Sequence, residues 1–122
     1  GYGIAKFDKN SRLIWAFGQN AHHDVYVSPE SENIYALTQS IFREAVEGFE
    51  YLPYPQLLDA IVKLSPDGEV IDSIDILTAF KDTAYEALMQ KQTESSSKRR
   101  KAWDSMHTNS IRILEKDMAD RF

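Results

Sequence analysis

Apolar and polar positions recur along this chain. Gly3–Trp15 reads GIAKFDKNSRLIW and Ala60–Asp72 reads AIVKLSPDGEVID, so that Ile4 matches Ile61, Lys6 matches Lys63, Leu13 matches Val70 and Ile14 matches Ile71 at a constant offset. In each copy two apolar stretches flank a turn-forming cluster, Asp8-Lys9-Asn10-Ser11 in the first and Ser65-Pro66-Asp67-Gly68 in the second. The pattern predicts strands over Ile4–Phe7, Arg12–Phe17, Ile61–Leu64 and Glu69–Ile74. A further hairpin, His23–Ser28 with Asn33–Thr38, is predicted around Pro29-Glu30-Ser31-Glu32. Residues 4–38 then hold the up-and-down strands of one propeller blade. The expected fold class is all-β: antiparallel four-stranded β-propeller blades with one helical insert.

This reading divides the chain into a first blade-like unit at 3–38, a connection at 39–59 and a second, incomplete unit at 60–122, all within a single propeller domain. The second unit is opened by an insert at 77–105. There Ile76, Leu77, Phe80, Ala84, Ala87 and Leu88 recur at helical spacing, which predicts an amphipathic helix over Leu77–Gln92 capped by Asp75. Thr93–Ser97 reads as a polar loop and Lys98-Arg99-Arg100-Lys101 as a solvated basic run. A third strand of the second unit is expected at about Ser110–Leu114, and its fourth strand is missing. The expectation is a fragment of about one and a half to two blades. Its open edges need covering by the remaining blades of the same protein or by a partner chain.

Composition narrows the function classes. Hydrophobic residues make up 43% and charged residues 27% of the 122, a globular composition. A net charge of −5 lacks the basic footprint of a nucleic-acid binder. No apolar run approaches the about 18 residues of a membrane span, and no basic-then-apolar leader is present. The absence of cysteine excludes disulfides, thiolate catalysis and Cys-ligated zinc.

The candidate chemistry lies at the strand entrances. The first copy leads to His22-His23-Asp24 and the second, after the insert, to His107-Thr108-Asn109-Ser110. Imidazole can act as base, acid, nucleophile or ligand near neutral pH. Asp24 could fix a tautomer, and the Asn109 amide could donate to an oxyanion. Strand alternation puts His23 opposite Asn109 and on the opposite face from His22 and Asp24, unless a bulge re-aims them. His22 serves equally as a structural residue bonded to a carbonyl. A zinc site from His22, His23, Asp24 and His107 is disfavoured because adjacent strand residues point apart. No metal and no cofactor are expected.

The pattern I-x-K-F-D-K-N-S-R-L-I-W, followed by H-H-D-V-x-V-x-P-x-x-x-N-I-Y-A-L, resembles the arylsulfotransferases. So does the later D-x-M-H-x-N-S-I-x-I-L, read as Asp104, Met106, His107, Asn109, Ser110, Ile111, Ile113 and Leu114. The resemblance implies a bacterial six-bladed β-propeller, periplasmic or secreted, with its active site in the central channel. It implies transfer of a sulfuryl group from an aryl sulfate to a phenol through a histidine intermediate. Carried onto this chain, it makes His107, Asn109 and His23 catalytic candidates and His22 and Asp24 substrate-binding candidates. The resemblance assigns the family's nucleophilic histidine to no particular residue here, and Arg43 and Arg112 lie outside the motifs that could match its sulfate-clamping arginine. The expected partners are an aryl sulfate and a phenol, with no nucleic acid and no membrane span; a homo-oligomer is left open. The alternative is a non-catalytic propeller segment acting as a binding or scaffold module.

Overall fold

The computed structural model describes residues 2–90, 102–114 and 116–121. Five strands, β1 (Tyr2–Phe7), β2 (Leu13–Val27), β3 (Ile34–Phe42), β4 (Gln56–Leu64) and β5 (Val70–Asp75), form one antiparallel sheet in chain order. Short helices follow: α1 (Ile76–Phe80), α2 (Ala87–Gln90) and α3 (Lys116–Ala119). The all-β class with propeller-like antiparallel strands is therefore the observed one. β1 and β4, equivalent in the repeat, lie in the same sheet and run in opposite directions.

Local chemistry closes the hairpins as the sequence suggests. Asp8 Oδ1 accepts from the backbone N–H groups of Asn10 and Arg12, at 2.7 and 2.9 Å. The Ser65 hydroxyl accepts from Asp67 and Glu69, both at 3.2 Å, while Gly68 donates back to the Ser65 carbonyl. Gly68 has φ +84, and a Cβ there would meet Trp15 at 2.6 Å, so only glycine suits the turn.

Two differences from the strand prediction stand out. Arg12–Phe17 and His23–Ser28 are not separate strands but the two halves of the fifteen-residue β2. Its first half pairs with β1 and its second with β3, and Ala21 pairs with both Tyr2 and Thr38. On each side of Ala21 β2 carries surplus residues: Phe17 to Ala21 spans only Ile4 to Tyr2, and Ala21 to Val25 spans only Thr38 to Ala36. These irregularities, with left-handed φ at Asn20 (50°) and His23 (58°), turn the strand sharply. As a result Trp15 and Val27 line one cleft with Ile4 and Ile34, although a straight strand would hold them about 40 Å apart. Secondly, Ser110–Leu114 forms no strand. Its Ile111 N–H is engaged by the Asp24 carboxylate of β2 instead.

The predicted helix over Leu77–Gln92 is broken into α1 and α2 within the described residues. Asp75 caps α1 as expected, accepting from the Thr78 N–H at 2.8 Å. The break follows from short polar side chains that compete with the helical ladder. Thr83 Oγ1 donates to the Phe80 carbonyl, the Asp82 N–H goes to Glu86, and Asp82 has φ 59°. The rest of the predicted helix, the Thr93–Ser97 loop and the Lys98–Lys101 run lie outside the described residues.

Two cores hold this frame. Phe17, Ile34, Val62 and Leu64 pack between strands, with Ile4 and Trp15 against them. Phe49, Leu52, Leu77 and Met89 form the other, joined by Leu58 and Met106. Phe49 and Leu64 are fully buried, and each such side chain is worth about 1.5–3 kcal/mol of burial. The connection 39–59 thus supplies the ends of β3 and β4 and half of a core.

Candidate functional site

The bend in β2 decides where the first histidines point. Residues 22–24 occupy the surplus between Ala21 and Val25, so strict alternation fails there. The imidazoles of His22 and His23 meet edge to face with centroids 4.7 Å apart. The expectation that His22 and His23 occupy opposite faces is overturned in favour of the bulge. A close approach makes this corner possible: a Cβ at Gly3 would meet the Phe17 carbonyl oxygen at 2.6 Å.

The second histidine segment reaches the same place by docking. Trp103 donates its N–H to the Pro55 carbonyl and accepts from Leu57, forming a parallel bridge beside Gln56. The Ser105 hydroxyl donates to Gln56 Oε1 at 2.9 Å, and Met106 enters the second core. The Thr108 N–H then donates to Asp59 Oδ2 at 2.8 Å, and the Ile111 N–H to Asp24 Oδ2 at 3.1 Å. This path sets the His107 ring 5.9 Å from that of His23. His22, His23 and His107 therefore form a contiguous row of imidazoles.

His107 is the most clearly prepared of them. Its Nδ1 lies 2.6 Å from Asp104 Oδ2, and its backbone N–H donates to Asp104 Oδ1. A carboxylate on Nδ1 fixes the tautomer and leaves Nε2 facing outward. The side chain is 51% exposed, against 8% for Asp104. His107 has φ 46° and His23 φ 58°, so the two histidines in contact both hold left-handed backbone. Such conformations cost roughly 1–3 kcal/mol each and gather at functional sites.

The other candidates are placed less directly. Asn109 is exposed and donates its amide to the His107 carbonyl at 3.1 Å, not to His23. Asp24 is occupied: besides Ile111 it accepts from Arg112 Nη1 at 2.7 Å and from the Val25 N–H at 3.0 Å. The Ile111 N–H and then the Arg112 guanidinium hold its carboxyl below the ordinary value. His22 is 14% exposed, and among the described residues its Nε2 has no hydrogen-bond partner; Asp59 Oδ1 is 3.6 Å away. A cleft of about 470 Å³ opens beside this corner, lined by His22, His23, Asn20, Gln39, Tyr2 and Leu57 among others. It combines neutral donors with an apolar wall.

Sequence reasoning missed Asp59 and the partner role of Asp104. Asp59 had a signal: it is the lone charge in the run Leu57-Leu58-Asp59-Ala60-Ile61-Val62. Asp104 stands three residues before His107, within reach of its ring. Among the described residues no group of three or more His, Asp or Glu side chains is arranged to hold a metal ion. No described helix is long and apolar enough to cross a membrane.

No curated protein and no solved structure matches the chain. The family model for arylsulfotransferase (ASST) matches residues 3–119, a span that includes both histidine segments and both copies of the repeat. The chain belongs to the arylsulfotransferase family.

Proposed function

We propose that this chain is a segment of a β-propeller arylsulfotransferase and that His107, Asn109 and His23 form part of its sulfuryl-transfer site. In this reading 3–38 and 60–122 belong to successive blade-like units of one exported, periplasmic protein. A histidine nitrogen attacks sulfur, the aryl O–S bond breaks, and the departing phenolate takes the proton that the imidazole gives up. A phenolic oxygen then attacks the sulfohistidine, the N–S bond breaks, and the imidazole is restored. Donors around the sulfuryl oxygens stabilise the charge that develops there.

Asn109 donates to the sulfuryl oxygens, His107 offers the Nε2 lone pair as a general base, His23 completes the row, and His22 and Asp24 support it from β2. Asp24 acts by holding Ile111 and Arg112 in place. The donor's ring has a fitting seat against Tyr2 and Leu57 in the cleft beside His23. The observation that carries this reading is the His107 ring, held by Asp104 through Nδ1 and 5.9 Å from the His23 ring.

The test is transfer from p-nitrophenyl sulfate to phenol by the protein that carries this chain. His107→Ala is expected to lower kcat by about 10²–10³, within the range for losing a general base. Acid-quenched, donor-only reactions should yield a sulfohistidine, and the modified peptide identifies the nucleophile. Absence of turnover in the unmutated protein would refute the enzyme reading. A scaffold role is favoured by one observation: the repeat-matched Leu13, Ile14, Val70 and Ile71 are each more than half exposed.

A further inference from the structure

We infer that Asp59 is a positioning residue, a buried carboxylate that fixes both the His22 imidazole and the peptide joining His107 to Asn109. Asp59 is completely buried in the middle of β4, opposite Gln39 of β3. Its oxygens divide the work. Oδ1 accepts from Gln39 Nε2 at 2.9 Å and faces His22 Nε2 at 3.6 Å, while Oδ2 accepts from the Thr108 N–H at 2.8 Å.

A carboxylate is costly to bury unless donors or a counter-charge surround it. Here the surrounding groups come from β2, β3 and the docked segment, so one side chain joins elements far apart in sequence. Thr108 lies between His107 and Asn109, and displacing its peptide displaces both. Among the described residues His22 Nε2 has no hydrogen-bond partner. With its proton on Nε2, that N–H points toward Asp59, and His22 then meets the His23 ring edge to face. Asp59 touches none of the reacting atoms; it acts through His22 and Thr108.

The kinetic part of this inference rests on the sulfotransferase reading, whereas its structural part does not. The test compares Asp59→Asn and Asp59→Ala in the protein that carries this chain, labelled with ¹⁵N-histidine. In the unmutated protein the His22 ring nitrogens should report the Nε2–H tautomer. In Asp59→Asn the new NH₂ faces Nε2, so His22 should switch to the Nδ1–H tautomer while far-UV circular dichroism is retained. For transfer from p-nitrophenyl sulfate, kcat should fall about 10–100-fold in Asp59→Asn with KM changed less than about threefold, as expected for misplaced groups. Asp59→Ala should lose more.

Unmoved His22 resonances in Asp59→Asn would overturn the inference, as would unchanged kcat in an active protein. If the unmutated protein transfers no sulfuryl group, the sulfotransferase reading falls alone. The His22 tautomer then still decides the role of Asp59.

Discussion

His22-His23-Asp24 lies inside a paired strand, whereas Met106-His107-Thr108-Asn109 belongs to a segment with no strand of its own. In the first region backbone geometry does the aiming: surplus residues in β2 and left-handed residues at Asn20 and His23 bring adjacent imidazoles together. In the second, carboxylates do it, with Asp104 on His107, Asp59 on Thr108 and Asp24 on Ile111. Met106, half-buried against the second core, anchors the same segment. The comparison teaches that similar histidine segments of one chain need not be held by similar means. A strand fixes its side chains through its ladder, and a segment without a ladder needs an acceptor for each N–H it buries.

Substitutions that act on one region and spare the other sharpen this contrast. The largest effect is expected from Phe49→Ala, which empties the core beneath Met106. It should cost about 3–5 kcal/mol in denaturant unfolding. Hydrogen exchange at Thr108 and Ile111 should rise more than at Val25.

Gly3→Ala addresses the other region. Its methyl group would press on the Phe17 carbonyl at the β2 corner, and overpacking of this kind costs about 1–3 kcal/mol. The loss should appear in the melting temperature and in the His22–His23 ring shifts, with the His107–Asp104 pair unchanged.

Asp75→Ala removes the cap of α1. It should cost about 1 kcal/mol by chemical denaturation and leave both histidine regions in place.

The smallest effect concerns the link between the regions. The Asp24 carboxyl is held below its ordinary value of 3.8 by Ile111 and Arg112. A depressed carboxylate contributes stability that is complete above 3.8 and is lost as pH falls through the lowered folded value. Melting temperature followed from neutral to acid pH should therefore drop less steeply at the acid end in Asp24→Asn than in the unmutated protein.

Much of the frame was legible because its signals are local. Ser65-Pro66-Asp67-Gly68 specifies its turn by residue type, and Asp75 announces a cap. The strand segments were recognised, but their joining into β2 depends on surplus residues that only the pairing with β1 and β3 defines. Helical periodicity over 77–92 is real, yet Asp82 and Thr83 satisfy the backbone by local bonds and break it. The candidate residues were legible in the sequence, and their arrangement was not. Alternation paired His23 with Asn109, while the docked path brings His107 to His23. That path is set by Asp59, Gln56 and Asp24, contacts distant in sequence that no periodicity encodes.

The central claim is that the two histidine regions converge on one site. A double-mutant cycle on His23 and His107, read as kcat/KM for p-nitrophenyl sulfate, tests it most directly. Convergence predicts that His23→Ala combined with His107→Ala loses little more than the worse single variant. Losses that multiply, as for independent positions, would contradict it.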